Sequence, residues 1–158
     1  MKLNNIFKII GAILICQAAG VIGTIFTIPA IPIWYAALQK PSFAPPNWLF
    51  GPVWLVLYAL MGIALYLIWK KRTYNLKANQ ALVIFFIQLA LNSLWSFLFF
   101  GLRNPLAGLV GIVALWFAIV WAIIAFFRIS RPAAYLLVPY ILWVSLAAYL
   151  NYSIFVLN

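Results

Sequence analysis

The chain contains no Asp, no Glu and no His among its 158 residues, and its only cysteine is Cys16. These absences remove whole classes of function. Paired acids for proton transfer, a Ser-His-Asp arrangement and a carboxylate or histidine metal site all need side chains that are missing. One cysteine allows no internal disulfide and no cysteine-rich metal centre, so Cys16 reads as a small apolar filler and no metal is expected. Tyr and Ser hydroxyls, amides and indole N–H groups remain. They suit recognition of an apolar ligand that carries a few polar atoms, and they do not suit hydrolysis.

What the chain does have is grease and cations. Hydrophobic residues make up 69% of it and aromatics 18%, and ten Lys and Arg give a formal net charge of +10. A nucleic-acid reader needs a soluble basic patch. Here Lys2, Lys8, Lys40, Lys70, Lys71, Arg72, Lys77, Arg103, Arg128 and Arg131 punctuate apolar runs instead. A helix needs roughly 17 to 25 apolar residues to cross the hydrocarbon core, and five segments qualify: 6–28, 47–69, 79–100, 105–127 and 133–156. They predict an all-α integral membrane protein, with residues 1–158 forming a single five-helix bundle in contact with membrane lipid and no soluble or nucleic-acid-binding domain. Segments of about ten alternating residues, as in a transmembrane barrel, are not seen. The first run is too long for a typical signal-peptide core, and the residues before Cys16 do not resemble a lipoprotein cleavage site. With no targeting leader in view, a prokaryotic cell membrane is the expected location. The N-terminus and the second and fourth connections hold Lys2, Lys8, Lys70, Lys71, Arg72, Lys77, Arg128 and Arg131, which predicts the N-terminus inside and the C-terminus outside.

Helix ends are legible. Asn104 and Pro105 read as N-cap and first-turn proline of the fourth helix, and Gly101 reads as a stop to the third. Ser130 and Pro132 read alike for the fifth, and Pro45, Pro46 and Asn47 open the second. Pro52 and Pro139 lie further inside and predict local bends. Residues 29–46, PAIPIWYAALQKPSFAPP, predict a long, stiff connection that covers a pocket, with a short helical turn near WYAALQK.

The informative residues are polar or aromatic ones inside the spans. Gln88, Asn92, Trp95, Ser96 and Phe99 share one face of the third helix at i, i+3, i+4 spacing. Trp54 and Tyr58 share a face of the second, and Tyr140, Trp143, Ala147 and Asn151 a face of the fifth. Trp54 and Asn92 each lie roughly 10–13 Å from the helix ends nearest the long connection, which predicts that their side chains meet beneath it. Periodicity alone leaves Gln88, Asn92 and Trp143 open between interhelical hydrogen bonding and ligand contact. Trp48, Trp69 and Tyr74 read as interfacial anchors, and Ala107 with Gly111 as a site of close helix approach.

Residues 34–58, WYAALQKPSFAPPNWLFGPVWLVLY, resemble the signature of the translocator protein family, also called the tryptophan-rich sensory proteins or peripheral-type benzodiazepine receptors (TspO/MBR). QLALNSLWSFLFFG at 88–101, LLVPYILWVSLAAYLN at 136–151 and the terminal Leu157 and Asn158 also match. The resemblance implies five helices around a cavity beneath the first connection, commonly as a homodimer. It implies binding of tetrapyrroles such as protoporphyrin IX and heme as ligands rather than cofactors, of isoquinolines and benzodiazepines, and of sterols (cholesterol) in some members. It assigns ligand hydrogen bonds to Trp54 and Asn92, and light- and oxygen-dependent porphyrin breakdown to Trp54 and Trp143. By position Tyr35, Phe43, Tyr58, Gln88, Trp95, Phe99, Ala147 and Leu150 join the ligand-binding set. The departures are an aromatic Phe43 where a tryptophan is usual and Gly111 where some members are acidic. In addition, Tyr152 has no following basic residue to complete a sterol motif. Three readings stay open: a tetrapyrrole-binding receptor with Lys40 or Arg103 near the carboxylate arms, a porphyrin-degrading enzyme, or a passive porphyrin or sterol transporter.

Overall fold

The computed structural model describes residues 2–158. Five stretches are long and apolar enough to cross a membrane: Leu3–Tyr35, Asn47–Trp69, Leu76–Gly101, Pro105–Phe127 and Arg131–Leu157. The chain is a multi-pass integral membrane protein, all-helical as its composition predicts. Large apolar side chains such as Phe7, Val21, Leu55, Val110, Phe117 and Leu142 stand on the outside of the bundle. Such a surface is stable where the solvent is acyl chain.

The first helix overruns its expected end. α1 spans Leu3–Ala30 and continues as a wide π-helical turn over Ile31–Tyr35, through both Pro29 and Pro32. A proline deletes one i→i−4 bond and crowds the carbonyl beneath it. Widening the turn relieves that crowding without exposing backbone to lipid. Lys40 then closes the end, with Nζ donating to the carbonyls of Tyr35 at 2.7 Å and Leu38 at 3.0 Å. The connection predicted for 29–46 is therefore only its second half, and the prolines at 29 and 32 belong to the helix.

α2, Asn47–Trp69, runs unbroken through Pro52. α3, Leu76–Ser96, starts earlier than expected because the Asn75 side chain accepts from the Lys77 N–H at 3.0 Å. It ends in a second π-helical turn, Phe97–Gly101. Gly101 does not stop this helix through left-handed backbone; the positive φ of 52° belongs to Arg103. What Gly101 provides is closeness, since a Cβ there would lie 2.9 Å from the Phe97 ring and 3.1 Å from that of Phe26.

α4, Pro105–Phe127, opens as predicted, with Asn104 Oδ1 accepting from the Ala107 N–H at 3.0 Å. The close approach expected at Ala107 and Gly111 falls instead on Gly108 and Gly111. Both are buried inward, against Phe99 and Asn151 and against Leu98 respectively. The fifth span is broken rather than bent. α5 covers Arg131–Leu136 and α6 covers Val138–Leu157, with Pro139 in the first turn of α6. Ser130 occupies the cap position of α5 but makes no side-chain cap bond.

α1 packs on α2 and α3, α4 on α3 and α6, and α5 wedges between α2 and α4. Phe85 and Phe126 stack at 5.5 Å, both fully buried, and Cys16 is fully buried, as its apolar reading required. At Gly62 a Cβ would collide with the Ile13 backbone, so this glycine sets how near α1 and α2 can lie.

Candidate functional site: an aromatic cavity among α1, α2, α3 and α6

A cavity of about 340 Å³ opens in the half of the bundle nearest the 38–46 connection. That volume lies in the range of small-molecule pockets, roughly 300–1,000 Å³. Two aromatic pairs face each other across it. On α2, Trp54 stacks on Tyr58 at 5.4 Å; on α3, Trp95 stacks on Phe99 at 5.9 Å. Both pairs are i, i+4 neighbours, the spacing that superposes side chains on a helix face. Trp54 and Trp95 approach to 6.5 Å across the gap. Tyr35, delivered by the π-helical turn, adds a ring 6.4 Å from Phe99, while Ala147 and Leu150 on α6 complete the wall.

Polar groups of the third helix sit below the cavity. The Tyr58 hydroxyl donates to Asn92 Oδ1, Asn92 Nδ2 donates to the Tyr140 hydroxyl at 2.8 Å, and that hydroxyl donates to Gln88 Oε1 at 2.9 Å. Asn92 and Gln88 are both almost fully buried and line no part of the cavity. Trp54 and Asn92 were expected to meet beneath the connection; instead Tyr58 stands between them, stacked on Trp54 and bonded to Asn92. A second amide, Asn151, accepts from Trp95 Nε1 at 3.2 Å and donates to the Pro105 carbonyl at 2.9 Å. It lines the cavity and fixes the indole plane. Its place on the Tyr140 face was legible, but its partner was not.

Of the residues expected at the site, Tyr35, Trp54, Tyr58, Trp95, Phe99, Ala147 and Leu150 line the cavity. Phe43 and Trp143 are brought elsewhere. Phe43 stacks on Tyr149 at 4.9 Å on the outer side of α6, and Trp143 meets the edge of Phe50 at 5.8 Å. Phe50 lines the cavity and Trp143 does not. Three buried polar atoms have no partner among the described residues: Tyr35 Oη, Gln88 Nε2 and Trp143 Nε1. Only Tyr35 belongs to the wall. Of the two candidate cations, the Lys40 ammonium is held by α1 carbonyls and lies over the Tyr35 ring at 4.8 Å, while Arg103 is exposed.

The α1 wall escaped the sequence reading. Gly20, Thr24 and Thr27 form a small, polar stripe at i, i+4, i+7, a signal that was available. Val21, Ile28 and Leu55 line the cavity and are also exposed on the outside of the bundle, so it opens sideways between α1 and α2.

The roof is clasped by the last residue. Asn158 Oδ1 accepts from the Gln39 N–H at 3.0 Å, and Nδ2 donates to the Gln39 carbonyl at 2.9 Å. This paired amide ties the connection to α6, whose Ile154 lines the cavity below. Replacing Asn158 with Leu removes both bonds. Ligand association and dissociation are expected to quicken together, by roughly five- to tenfold for about 1 kcal/mol of lost clasp, with little change in affinity. Stopped-flow fluorescence checks this, and unchanged rates would show that the clasp does not gate entry.

The profile of the TspO/MBR family matches residues 12–157. The chain belongs to that family. Its relatives include a protein named "Tryptophan-rich protein TspO" from Archaeoglobus fulgidus, 47% identical over 154 residues, covering 98% of this chain and 99% of the relative. A "Translocator protein" from Homo sapiens is 42% identical over 122 residues, 77% of this chain and 72% of the relative. A "Tryptophan-rich sensory protein" from Cereibacter sphaeroides is 36% identical over 126 residues, 79% and 77% of the two chains. The TspO/MBR profile spans every element that builds the cavity, from the α1 stripe to Ile154.

Proposed function

We propose that this TspO/MBR protein binds a planar tetrapyrrole, protoporphyrin IX or heme, in the aromatic cavity. The observation that carries this reading is the opposition of the Trp54–Tyr58 and Trp95–Phe99 stacks around a space without charged side chains. A flat aromatic disk pairs with such rings in offset or edge-on contact, for about 0.5–1.5 kcal/mol per ring pair. The free Tyr35 hydroxyl supplies one hydrogen bond. The sideways opening between α1 and α2 supports exchange of ligand with the bilayer, where a porphyrin or a sterol would partition. A breakdown reaction would draw on Trp54, which touches the space, more readily than on Trp143 behind Phe50.

Titration of the detergent-purified protein with protoporphyrin IX tests the proposal. Quenching of tryptophan emission should saturate at one ligand per chain, and an equal concentration of a linear alkyl carboxylate should not displace the porphyrin. Quenching that rises without saturation, as for partition into the micelle, would overturn it.

A further inference from the structure

A second hollow lies on the opposite half of the bundle. It is a groove of about 610 Å³ between the start of α3 and the end of α4. Its walls are Val83 and Ile87 from α3 and Trp121 and Ile124 from α4, all of them exposed. At its mouth stand Lys77 and Arg128, brought level because α3 and α4 run antiparallel. From Lys77 to Ile87 the groove runs about 15 Å along the helix. That is half the thickness of a hydrocarbon core, one acyl chain deep.

The cations around this face are not equivalent. The Lys71 ammonium donates to the Ile129 carbonyl at 2.9 Å. Lys70, Arg72 and Arg131 lie over the rings of Tyr66, Trp69 and Phe127 at 5.6, 5.6 and 5.4 Å. Lys77 and Arg128 enter the hydrogen bonds of the described residues only through their backbone. Among the described cations of the second and fourth connections, the two uncommitted ones are the two that flank the groove.

We propose that this groove holds an anionic phospholipid, with its phosphate between Lys77 and Arg128 and an acyl chain between Trp121 and Ile87. Charge decides the occupant. A second copy of this chain has no side-chain carboxylate to offer and would bring cation to cation. A soluble phosphate would leave the apolar walls unused. A phosphodiester with no cationic headgroup satisfies both halves, the Arg128 fork and the Lys77 ammonium meeting its oxygens and the chain replacing bulk lipid in the cleft. Basic pockets between membrane helices hold acidic lipids by this chemistry.

Native mass spectrometry of delipidated protein tests the assignment, titrating phosphatidylglycerol or phosphatidylcholine with identical acyl chains. The wild type should prefer phosphatidylglycerol. In the Lys77→Gln, Arg128→Gln double variant its affinity should fall by on the order of tenfold to thirtyfold, with phosphatidylcholine unaffected. A Lys70→Gln, Arg72→Gln variant loses the same charge and should keep phosphatidylglycerol affinity within about twofold. An unchanged protoporphyrin titration would verify that both variants are folded. Equal loss in the two variants would reduce the effect to overall charge and overturn the site, as would equal affinity of the wild type for the two lipids. A shift in the monomer–dimer ratio of lipid-free protein, with phosphatidylglycerol uptake unchanged, would assign the groove to a second copy instead.

Discussion

Replacing Trp54 with Leu is expected to weaken protoporphyrin IX binding by roughly 10- to 70-fold. Area arithmetic does not apply here, because the ligand arrives from acyl chains that are already apolar. What is lost is one ring pairing, about 0.5–1.5 kcal/mol, and the ligand hydrogen bond that the family resemblance assigns to the indole, about 1 kcal/mol. Together these give about 1.5–2.5 kcal/mol, which is the quoted range in Kd. Trp54→Phe separates the two contributions: it keeps a ring over Tyr58, so the loss should stay near fivefold. Trp48 is 72% exposed and lines no cavity, so Trp48→Leu serves as the control and should change Kd less than twofold. Fluorescence titration of all three against wild type is the measurement. A Trp54→Leu loss no larger than that of the control would remove the α2 stack from the site.

The second large effect falls on stability. Asn92 joins three helices: it accepts from Tyr58 on α2 and donates to Tyr140 on α6, and Tyr140 in turn reaches Gln88. Asn92→Leu keeps the branching at Cγ and deletes both bonds. Interhelical hydrogen bonds in membranes average about 0.6 kcal/mol and reach about 1.7, so unfolding free energy should drop by about 1–3 kcal/mol. Because Tyr58 also stacks on Trp54, porphyrin affinity should fall as well, by less than in Trp54→Leu. Denaturation in mixed micelles, run as a double-mutant cycle with Tyr58→Phe, checks the link. A coupling of at least about 0.5 kcal/mol is expected for groups in direct contact. Strict additivity would mean that the Tyr58–Asn92 bond contributes nothing.

These two residues also show where sequence reading stops. Spacing placed Trp54 and Tyr58 on one face, and Trp95 and Phe99 on another, and the structure aims both faces at one space. The same spacing put Asn92 beside Trp95 and Ser96, yet a turn of helix separates wall from floor. Asn92 spends its amide on two hydroxyls that arrive from other helices. Phe43 and Trp143 lie off the cavity wall for a related reason. Phe43 sits on a connection whose path is set by the Gln39–Asn158 clasp, and Trp143 is screened by Phe50 from a different helix.

Helix ends divide in the same way. Asn104 with Pro105 needs only its own backbone to cap α4, and that prediction matches the structure. Pro29 and Pro32 carry the same local preference to break a helix, but the membrane penalises every unpaired backbone group, and α1 carries on through a widened turn. Ahead of Pro139 the helix is interrupted at Leu137, which is packed in the core, and α5 lies against α2 and α4.

By itself, then, the sequence determined the solvent, the number of crossings, the excluded chemistries and the face each side chain takes on its own helix. Each follows from composition or from periodicity along one rod. The tertiary structure decided which of those faces meet, how deep the cavity reaches and which polar atoms are left free for a ligand. Those depend on the rotation and approach of neighbouring helices, set by contacts such as Gly62 against Ile13 and Gly108 against Phe99, and no single helix encodes the surface of its neighbour.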